Sequence, residues 1–222
     1  VVCDWMRQVL GLSSDWEGVI QDTASTSTLV ALLCAREQTS NHSQINKGLQ
    51  GGKSPLIIYS STQSHSSVKK AALLAGFGLN NVRTIETDEN FAMDIHLLKE
   101  AIEQDIKKGF KPCAVIATIG TTNTTAMDSI SDILPLAEEH NLWLHVDAAM
   151  AGTAMILPEY RWMWDGIEGA DSIVINSHKW LGAVFDCSLY YMRDSEHLVR
   201  VMSTNPSYLQ TSKDNEVKNF RD

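Results

Sequence analysis

Four short polar segments stand where a protein of mixed helices and strands could do chemistry. Three of them follow apolar, β-branched runs, and the fourth opens a predicted helix. In chain order they are residues 23–25 at the helix start, residues 120–122, residues 147–149 and residues 177–180. Open sheets of parallel strands bind ligands beyond the carboxyl ends of their strands. We therefore expect these segments to meet at one site.

The predicted helix start holds the small residues Ala24 and Ser25 after Thr23. The first N–H groups of a helix lack partners within the helix, and the helix dipole adds positive charge behind them. Such a start suits a phosphate group. For this segment taken alone, an ordinary Ser/Thr N-cap is the favoured interpretation of the same residues.

Asp147 and Lys179 are the charged members of the other segments. Asp147 ends the apolar run 142–146, where a carboxylate is poorly solvated unless it meets a cation. Lys179 lies between His178 and Trp180, where loss of solvation would favour the neutral, nucleophilic amine. Taken singly, a capping aspartate and a surface lysine would explain these two residues as well.

Together, a phosphate-accepting helix start, an aspartate and an amine on one edge of a sheet are the groups that pyridoxal phosphate requires. The lysine forms a Schiff base with the cofactor, the aspartate pairs with its protonated pyridine nitrogen, and the helix holds its phosphate. The combination predicts pyridoxal 5'-phosphate as the cofactor.

Short β-branched runs alternate with helical segments along the chain, which indicates the elements that must position these groups. The predicted helices cover residues 5–10, 25–36, 66–75, 95–108, 129–140 and 195–202, and the predicted strands cover residues 56–60, 82–86, 113–119, 142–146, 172–176 and 184–192. Helical crossovers imply parallel strands with helices on both faces of the sheet. Only residues 177–183 separate the last two strands, too few for a crossover of about a dozen residues. The predicted fold class is α/β, with a mostly parallel sheet and one antiparallel strand.

Composition and charge exclude several classes of protein. The chain has 222 residues, with 18 Lys and Arg against 27 Asp and Glu, a net charge of −9. This acidic balance excludes a nucleic-acid partner, which needs a basic surface. No apolar run reaches the ~18–20 residues of a membrane span, so we predict no membrane association and a soluble, cytoplasmic protein. The size fits one large domain, residues 1–222.

Three other kinds of site find little support in the sequence. Residues 48–54 resemble a nucleotide-binding Walker loop, but the spacing would require glycine at Lys47, and no strand precedes it. We interpret this segment as a surface loop. Neither an H-E-x-x-H nor a G-x-S-x-G pattern occurs, and the four cysteines form no C-x-x-C pair, so no metal site and no hydrolase elbow is predicted.

Residues 142–149, Ala151-Gly152 and above all Asn176-Ser177-His178-Lys179-Trp180 resemble the group II pyridoxal-phosphate decarboxylases, specifically the aromatic-L-amino-acid decarboxylase branch. Nearly the whole chain shares the family's character. The resemblance implies the large domain of the aspartate-aminotransferase-like fold, fold type I, and pyridoxal 5'-phosphate as cofactor.

The resemblance also implies roles for single residues. Lys179 would be the Schiff-base lysine, Asp147 the partner of the pyridine nitrogen, and His65 the imidazole stacked on the cofactor ring; these three are the implied catalytic residues. The implied cofactor-binding residues are Ala24, Ser25, His65, Thr122, Asp147, Ala149, Asn176, His178 and Lys179.

Three positions depart from the pattern of the family. Asp22 stands where many members have glycine, so an acidic group precedes the phosphate segment and either points away or weakens phosphate binding. Thr26 replaces a frequent glutamate, and Met150 stands where tyrosine or tryptophan is usual. None of the three removes a group implied to contact the cofactor.

The implied activity is decarboxylation of an aromatic L-amino acid to its amine, by a homodimer with the active site at the interface. Ala151-Gly152 favours this branch over the glutamate enzymes, which carry Gly-Gly. The chain would be a fragment that lacks an N-terminal segment and a C-terminal small domain, and inactive by itself. The alternatives are another fold type I enzyme (a histidine or glutamate decarboxylase, an aldehyde synthase or an aminotransferase), a nucleotide-binding module that uses the Gly-rich loop 48–54, and an inactive, dimerising scaffold.

Overall fold

The computed structural model describes residues 1–49, 52 and 54–204 of the chain. Its strands are β1 (Glu17–Gln21), β2 (Leu56–Ser61), β3 (Val82–Ile85), β4 (Lys111–Thr118), β5 (Trp143–Asp147), β6 (Ser172–Asn176) and β7 (Ser188–Met192). Its α-helices are α1 (Val2–Val9), α2 (Ala24–Thr39), α3 (Gln44–Lys47), α4 (Ser67–Leu74), α5 (Ile95–Lys107), α6 (Ile130–Glu139) and α7 (Ser195–Met202). Short 3₁₀ helices cover Leu79–Asn81, Gly152–Ile156, Pro158–Trp164 and Ile167–Gly169.

The strands form one sheet in the order β1-β7-β6-β5-β4-β2-β3. The pairs from β6 to β3 are parallel, whereas β7 runs antiparallel to both β6 and β1. A mostly parallel sheet with one reversed strand was the prediction, and it is confirmed. All the parallel strands therefore present their carboxyl ends at one edge of the sheet.

Helices cover both faces of this sheet, because side chains alternate between two apolar cores along each strand. On β2, Ile58 packs into the core beneath α2, α4 and α7, while Ile57 and Tyr59 pack into the core beneath α5 and α6. Side-chain caps start four of these five helices, all but α4. At α5, for example, Asp94 accepts the N–H groups of residues 96 and 97, and at α6 Ser129 accepts that of residue 132.

The sequence analysis missed one strand and misplaced the start of another. β1 is an edge strand whose Val19 and Ile20 are exposed, so it lacks the burial pattern that marks a strand. β7 begins at Ser188 rather than at Val184, because the pairing with β6 starts where Ser188 lies opposite Asn176. Residues 184–186 are exposed.

Two segments that fall between the predicted helices and strands hold short helices. The tryptophan-rich segment after β5 folds into 3₁₀ helices, and residues 39–54 include α3. Gln50, Gly51 and Lys53 of the Walker-like segment, like the polar stretch 205–222, lie outside the described residues. Among the residues that the structure covers, no helix is both long and apolar enough to cross a membrane.

Candidate functional site

An open cleft with a volume of about 230 Å³ lies at the carboxyl edge of the sheet, beside the N-terminus of α2. All nine residues that the sequence analysis assigned to a cofactor site line this cleft: Ala24, Ser25, His65, Thr122, Asp147, Ala149, Asn176, His178 and Lys179. It is also lined by Thr23, Gln63, Ser67, Thr118, Gly120, Thr121, Met150 and Phe185.

Alternation along the strands explains why polar side chains meet here. Thr118, Asp147 and Asn176 are the last residues of β4, β5 and β6. Each lies two residues beyond a position on the α2 face of the sheet, since Ile116 and Val174 belong to the core beneath α2. On the α2 face of the sheet, the side chains of these strands are therefore apolar in the middle of the strands and polar at the carboxyl ends, where the cleft lies.

Thr118 and Phe185 were missed as site residues, because both fell within predicted strands. The predicted strand ran on to residue 119, so Thr118 did not follow a strand end as Asp147 did, although the structure ends β4 at Thr118. Phe185 carried no comparable signal. Its place at the cleft follows from the late start of β7, which leaves residues 177–187 as a connection beside the site.

The N-terminus of α2 forms one wall of the cleft. Thr23 is its N-cap, with a side-chain oxygen that accepts the N–H of Thr26, and its carbonyl accepts the N–H of Ser27 at 3.1 Å. The N–H groups of Ala24 and Ser25 belong to the first turn, where the helix supplies no acceptor. Both residues line the cleft, so this wall can bind an anion.

Asp22 lies just outside this wall and is not among the lining residues. Its Oδ1 accepts the N–H of Thr23 at 2.7 Å. Hydrogen bonds from the Thr26 hydroxyl and from the Thr23 N–H hold the pKa of the Asp22 carboxyl below its usual range. The carboxylate is therefore charged at neutral pH and interacts with the same helix N-terminus that faces the cleft.

Asp147 is the buried acid of the site, with 5% of its surface exposed. Its Oδ1 accepts the N–H of Ala149 at 3.1 Å. Burial raises the pKa of Asp147, while the hydrogen bond from Ala149 and the charges of Lys179 and His65 act in the opposite direction. A cation placed against this carboxylate in the cleft would keep it ionised.

His65 lies at the mouth of the cleft, before α4. Its Nδ1 accepts the backbone N–H of Ser67 at 3.2 Å and lies 2.9 Å from the Ser67 hydroxyl. Because Nδ1 accepts, the proton of the neutral ring resides on Nε2. The two contacts orient the imidazole at the mouth.

Lys179 lies in the connection between β6 and β7, which is closed by two hydrogen bonds. Cys187 donates its N–H to Nδ1 of His178 at 2.9 Å, and the Cys187 carbonyl accepts the N–H of His178 at 3.2 Å. Asn176 Oδ1 accepts the hydroxyl of Ser188 at 2.6 Å. These contacts hold both ends of the segment that carries the lysine.

The Lys179 side chain itself is exposed, so the expectation that it would be desolvated is wrong for the described residues. The reason is the open course of the connection, in which Val184 and Phe185 face solvent instead of packing over the lysine. The Phe185 ring instead contacts His178 edge to face, with centroids 4.6 Å apart.

The turn after β4 completes the cleft and carries Thr122 at its exposed rim. Gly120 has a positive φ of 80°, and a Cβ there would come within 2.5 Å of the Ala151 Cβ. The Thr121 hydroxyl accepts the N–H of Ala126 at 3.1 Å and lies 2.7 Å from the Thr124 hydroxyl. Thr121 thus closes the turn, while Thr122 is exposed and lines the cleft.

The donor set of the cleft fits pyridoxal phosphate. It offers helix N–H groups for a phosphate, a buried carboxylate for a protonated ring nitrogen, an imidazole at the mouth and a primary amine. The Thr118 hydroxyl adds a buried polar atom with no hydrogen-bond partner among the described residues.

Comparison with known proteins agrees with this chemistry. The family model described as "Pyridoxal-dependent decarboxylase conserved domain" matches residues 1–221. The chain belongs to the pyridoxal-dependent decarboxylase family. The family that the sequence resemblance indicated is thereby confirmed, and so is the α/β fold class.

Individual relatives in this family differ in what they do. Tryptophan decarboxylase 2 of Oryza sativa subsp. japonica and phenylacetaldehyde synthase of Arabidopsis thaliana are each 38% identical to the chain, over 100% of it and 46% of their own length. The crystal structure of Oryza sativa TDC with PLP and tryptamine matches with a TM-score of 0.91 at 38% identity, covering 98% of this chain and 46% of that one. The chain thus spans about half the length of these relatives.

Proposed function

We propose that residues 1–222 are the cofactor-binding large domain of an enzyme that uses pyridoxal phosphate to decarboxylate an aromatic L-amino acid to its amine. The observation that carries this proposal is the convergence of Asp147, Lys179 and the N-terminus of α2 on one cleft. Membership of the decarboxylase family over residues 1–221 supports the same conclusion.

When bound, pyridoxal phosphate withdraws electrons from the α-carbon of an amino acid and so makes loss of carbon dioxide easier. The N–H groups of Ala24 and Ser25 would bind the phosphate at the helix start. Asp147 would pair with the pyridine nitrogen and hold its proton in place, because the buried carboxylate would gain a cationic partner there. The amine of Lys179 would hold the cofactor covalently.

The remaining cleft residues orient the cofactor. His65 would stack on its ring, with the imidazole oriented by Ser67. Thr122 would lie close to the ring and Ala149 would line the cofactor site, while Asn176 and His178 hold the segment that carries the lysine. These roles come from the family resemblance, and the shared cleft supports them.

A second function in the same family also has support. The phenylacetaldehyde synthase matches at the same identity and coverage as the tryptophan decarboxylase, so identity does not separate an amine product from an aldehyde product. Ala151-Gly152 favours the aromatic decarboxylases. Analysis of products from the full-length protein separates the two: an amine supports decarboxylation, and an aldehyde supports the synthase.

We further propose that the full-length protein is a cytoplasmic homodimer with the active site at the subunit interface. The exposed apolar side chains of Val184 and Phe185, next to the cleft, support a surface that a second subunit covers. Sedimentation of the full-length protein and fluorescence microscopy of a tagged form test these two points.

The decisive experiment traps the bond between Lys179 and the cofactor. We expect borohydride treatment of the full-length protein with pyridoxal phosphate to leave the cofactor on the peptide that contains Lys179, as detected by mass spectrometry. Lys179→Ala should lose the trapped adduct but keep weaker, noncovalent cofactor binding. Lys99→Ala, which removes an exposed lysine on α5, should react as the wild type does. An adduct that persists in Lys179→Ala would reject the assignment.

The Asp147→Asn variant tests the ring partner. We expect turnover to fall by several orders of magnitude, because the amide does not hold the proton of the ring nitrogen. Cofactor affinity should fall less, since losing one charge-assisted hydrogen bond costs about 1.5–3 kcal/mol while the phosphate contacts at α2 remain. Steady-state kinetics and a cofactor titration measure the two effects, and unchanged turnover would remove Asp147 from the mechanism.

A further inference from the structure

Thr118 closes β4 at the cleft, and its backbone is fixed firmly. Its N–H donates to Asp128 Oδ2 at 2.7 Å, and the other oxygen of that carboxylate accepts the N–H of Met93 at 2.7 Å. Asp128 is itself buried, so both charge-assisted bonds lie away from solvent. The position of Thr118 is therefore determined by an anchor outside the cleft.

The Thr118 side chain, by contrast, has no partner. The residue is only 4% exposed, and its hydroxyl makes no hydrogen bond among the described residues. A buried hydroxyl without a partner costs free energy, and such groups are rare in folded proteins. Because Thr118 also lines the cleft, a ligand or a ligand-bound neighbour can satisfy this hydroxyl.

The neighbour in question is Asp147. Thr118 pairs with Asp147 in the register of β4 and β5, and paired residues of adjacent strands present their side chains on the same face. Asp147 takes one backbone hydrogen bond, from Ala149 to Oδ1. Burial raises the pKa of this carboxyl, so a further donor would help to keep it charged.

We propose that Thr118 is a positioning residue for the reaction, whose hydroxyl donates a hydrogen bond to the Asp147 carboxylate when that carboxylate faces the cofactor ring. The inference rests on the proposed function. The Thr118 hydroxyl gains this partner only when the Asp147 carboxylate turns towards a bound cofactor. The hydrogen bond therefore stabilises the cofactor-bound protein relative to the cofactor-free protein. Thr118 thereby favours the ionised form of Asp147 and fixes its direction.

The isosteric variant Thr118→Val tests this. Removing an unpartnered buried hydroxyl should leave the melting temperature of the cofactor-free, full-length protein unchanged or raise it. Pyridoxal phosphate affinity, measured by fluorescence titration, should fall about tenfold, as expected when a hydrogen bond to a charged group is lost. The pH at which the bound cofactor's absorption changes with Asp147 protonation should move upwards. Thr118→Ser should restore affinity and the pH midpoint.

Thr153→Val is the matched control. The Thr153 hydroxyl is also buried and without a partner among the described residues, but it lines a separate, apolar cavity with Leu157 and Met163. We expect this variant to bind the cofactor as the wild type does. Equal effects of the two valine variants would mean a general packing effect and would overturn the proposal.

Two further results would also overturn the role of Thr118. One is an unchanged affinity and pH midpoint in Thr118→Val, and the other is a lowered melting temperature of its cofactor-free form, which would show an existing partner. Should the valine variant not fold, Thr118→Ala carries the same readouts. Failure of the wild type to form a borohydride-trapped adduct would reject the proposed function itself, which is a separate outcome.

Discussion

Asp22 places a second negative charge at the helix start that we assign to the cofactor phosphate. Its carboxylate is charged and accepts the N–H of Thr23 at 2.7 Å, one residue before Ala24. We expect Asp22→Asn to bind pyridoxal phosphate about three- to tenfold more tightly at low ionic strength, because two anions then no longer share one helix dipole. A fluorescence titration of the full-length protein measures the change.

Salt dependence separates this electrostatic effect from a change of structure. Raising the salt from about 0.01 M to 1 M shortens the screening length from about 30 Å to 3 Å, so the difference between Asp22→Asn and wild type should nearly vanish. Asp15→Asn removes an exposed charge outside the cleft and should bind as wild type. Affinity that is weaker in Asp22→Asn, or a gain independent of salt, would mean that Asp22 helps to build the phosphate site.

For single residues, the sequence analysis identified those whose side-chain chemistry and position after an apolar strand both indicate a ligand site. Asp147 and Lys179 could be found because each is a charged group next to an apolar strand. Thr118 could not be recognised as readily, because threonine is an ordinary strand residue. What marks Thr118 is a buried hydroxyl without a hydrogen-bond partner among the described residues, and only the packing around the residue reveals it.

Among the elements, the buried strands could be predicted from the sequence, but the edge strand β1 could not. β4, β5 and β6 are buried almost throughout, so they read as continuous apolar runs. β1 pairs only with β7, and its exposed residues give it no such pattern. The connection after β6 was short enough to predict the antiparallel pair, but its exact end depended on the register of that pair.

Asp128 accepts the N–H of Thr118 on β4 and that of Met93, just before α5, and this buried carboxyl gives a prediction on stability. Burial raises the pKa of Asp128 to about 6, from an ordinary value of 3.8. Between about pH 4 and pH 6 the folded chain therefore holds a proton that the unfolded chain has lost, and the free energy of unfolding falls as the pH rises. In Asp128→Asn this fall should be shallower by roughly 1–3 kcal/mol over that window.

Denaturant unfolding at a series of pH values measures this slope. Asn accepts one of the two N–H groups that Asp128 binds, so the variant should also be less stable at every pH, and the change in slope is the informative quantity. Asp94→Asn is the control, since it alters the exposed cap of the adjacent helix α5 and asparagine caps helices well. A slope unchanged in Asp128→Asn would show that this carboxyl does not titrate in that range.

The cleft depends on elements from both faces of the sheet. α2 packs on one face of the sheet and contributes the phosphate wall, while the strands contribute Asp147 and Thr118 from their ends. Asp128 ties the site to α5 on the opposite face through Met93, a member of the second core. Cofactor binding at this junction should therefore stabilise the fold as a unit, by an amount that grows with cofactor concentration.

The surface near the cleft yields the last prediction. Leu157, Tyr160 and Trp180 line one apolar cavity and are each about half exposed, which favours association between copies of the chain. We expect the 222-residue chain to self-associate in sedimentation velocity, and Leu157→Ser with Tyr160→Ser to weaken association at least tenfold. Because the net charge of −9 opposes association, added salt should strengthen it. Leu74→Ser, at an exposed apolar position on α4, should change nothing, and equal weakening by that control would place the contact elsewhere.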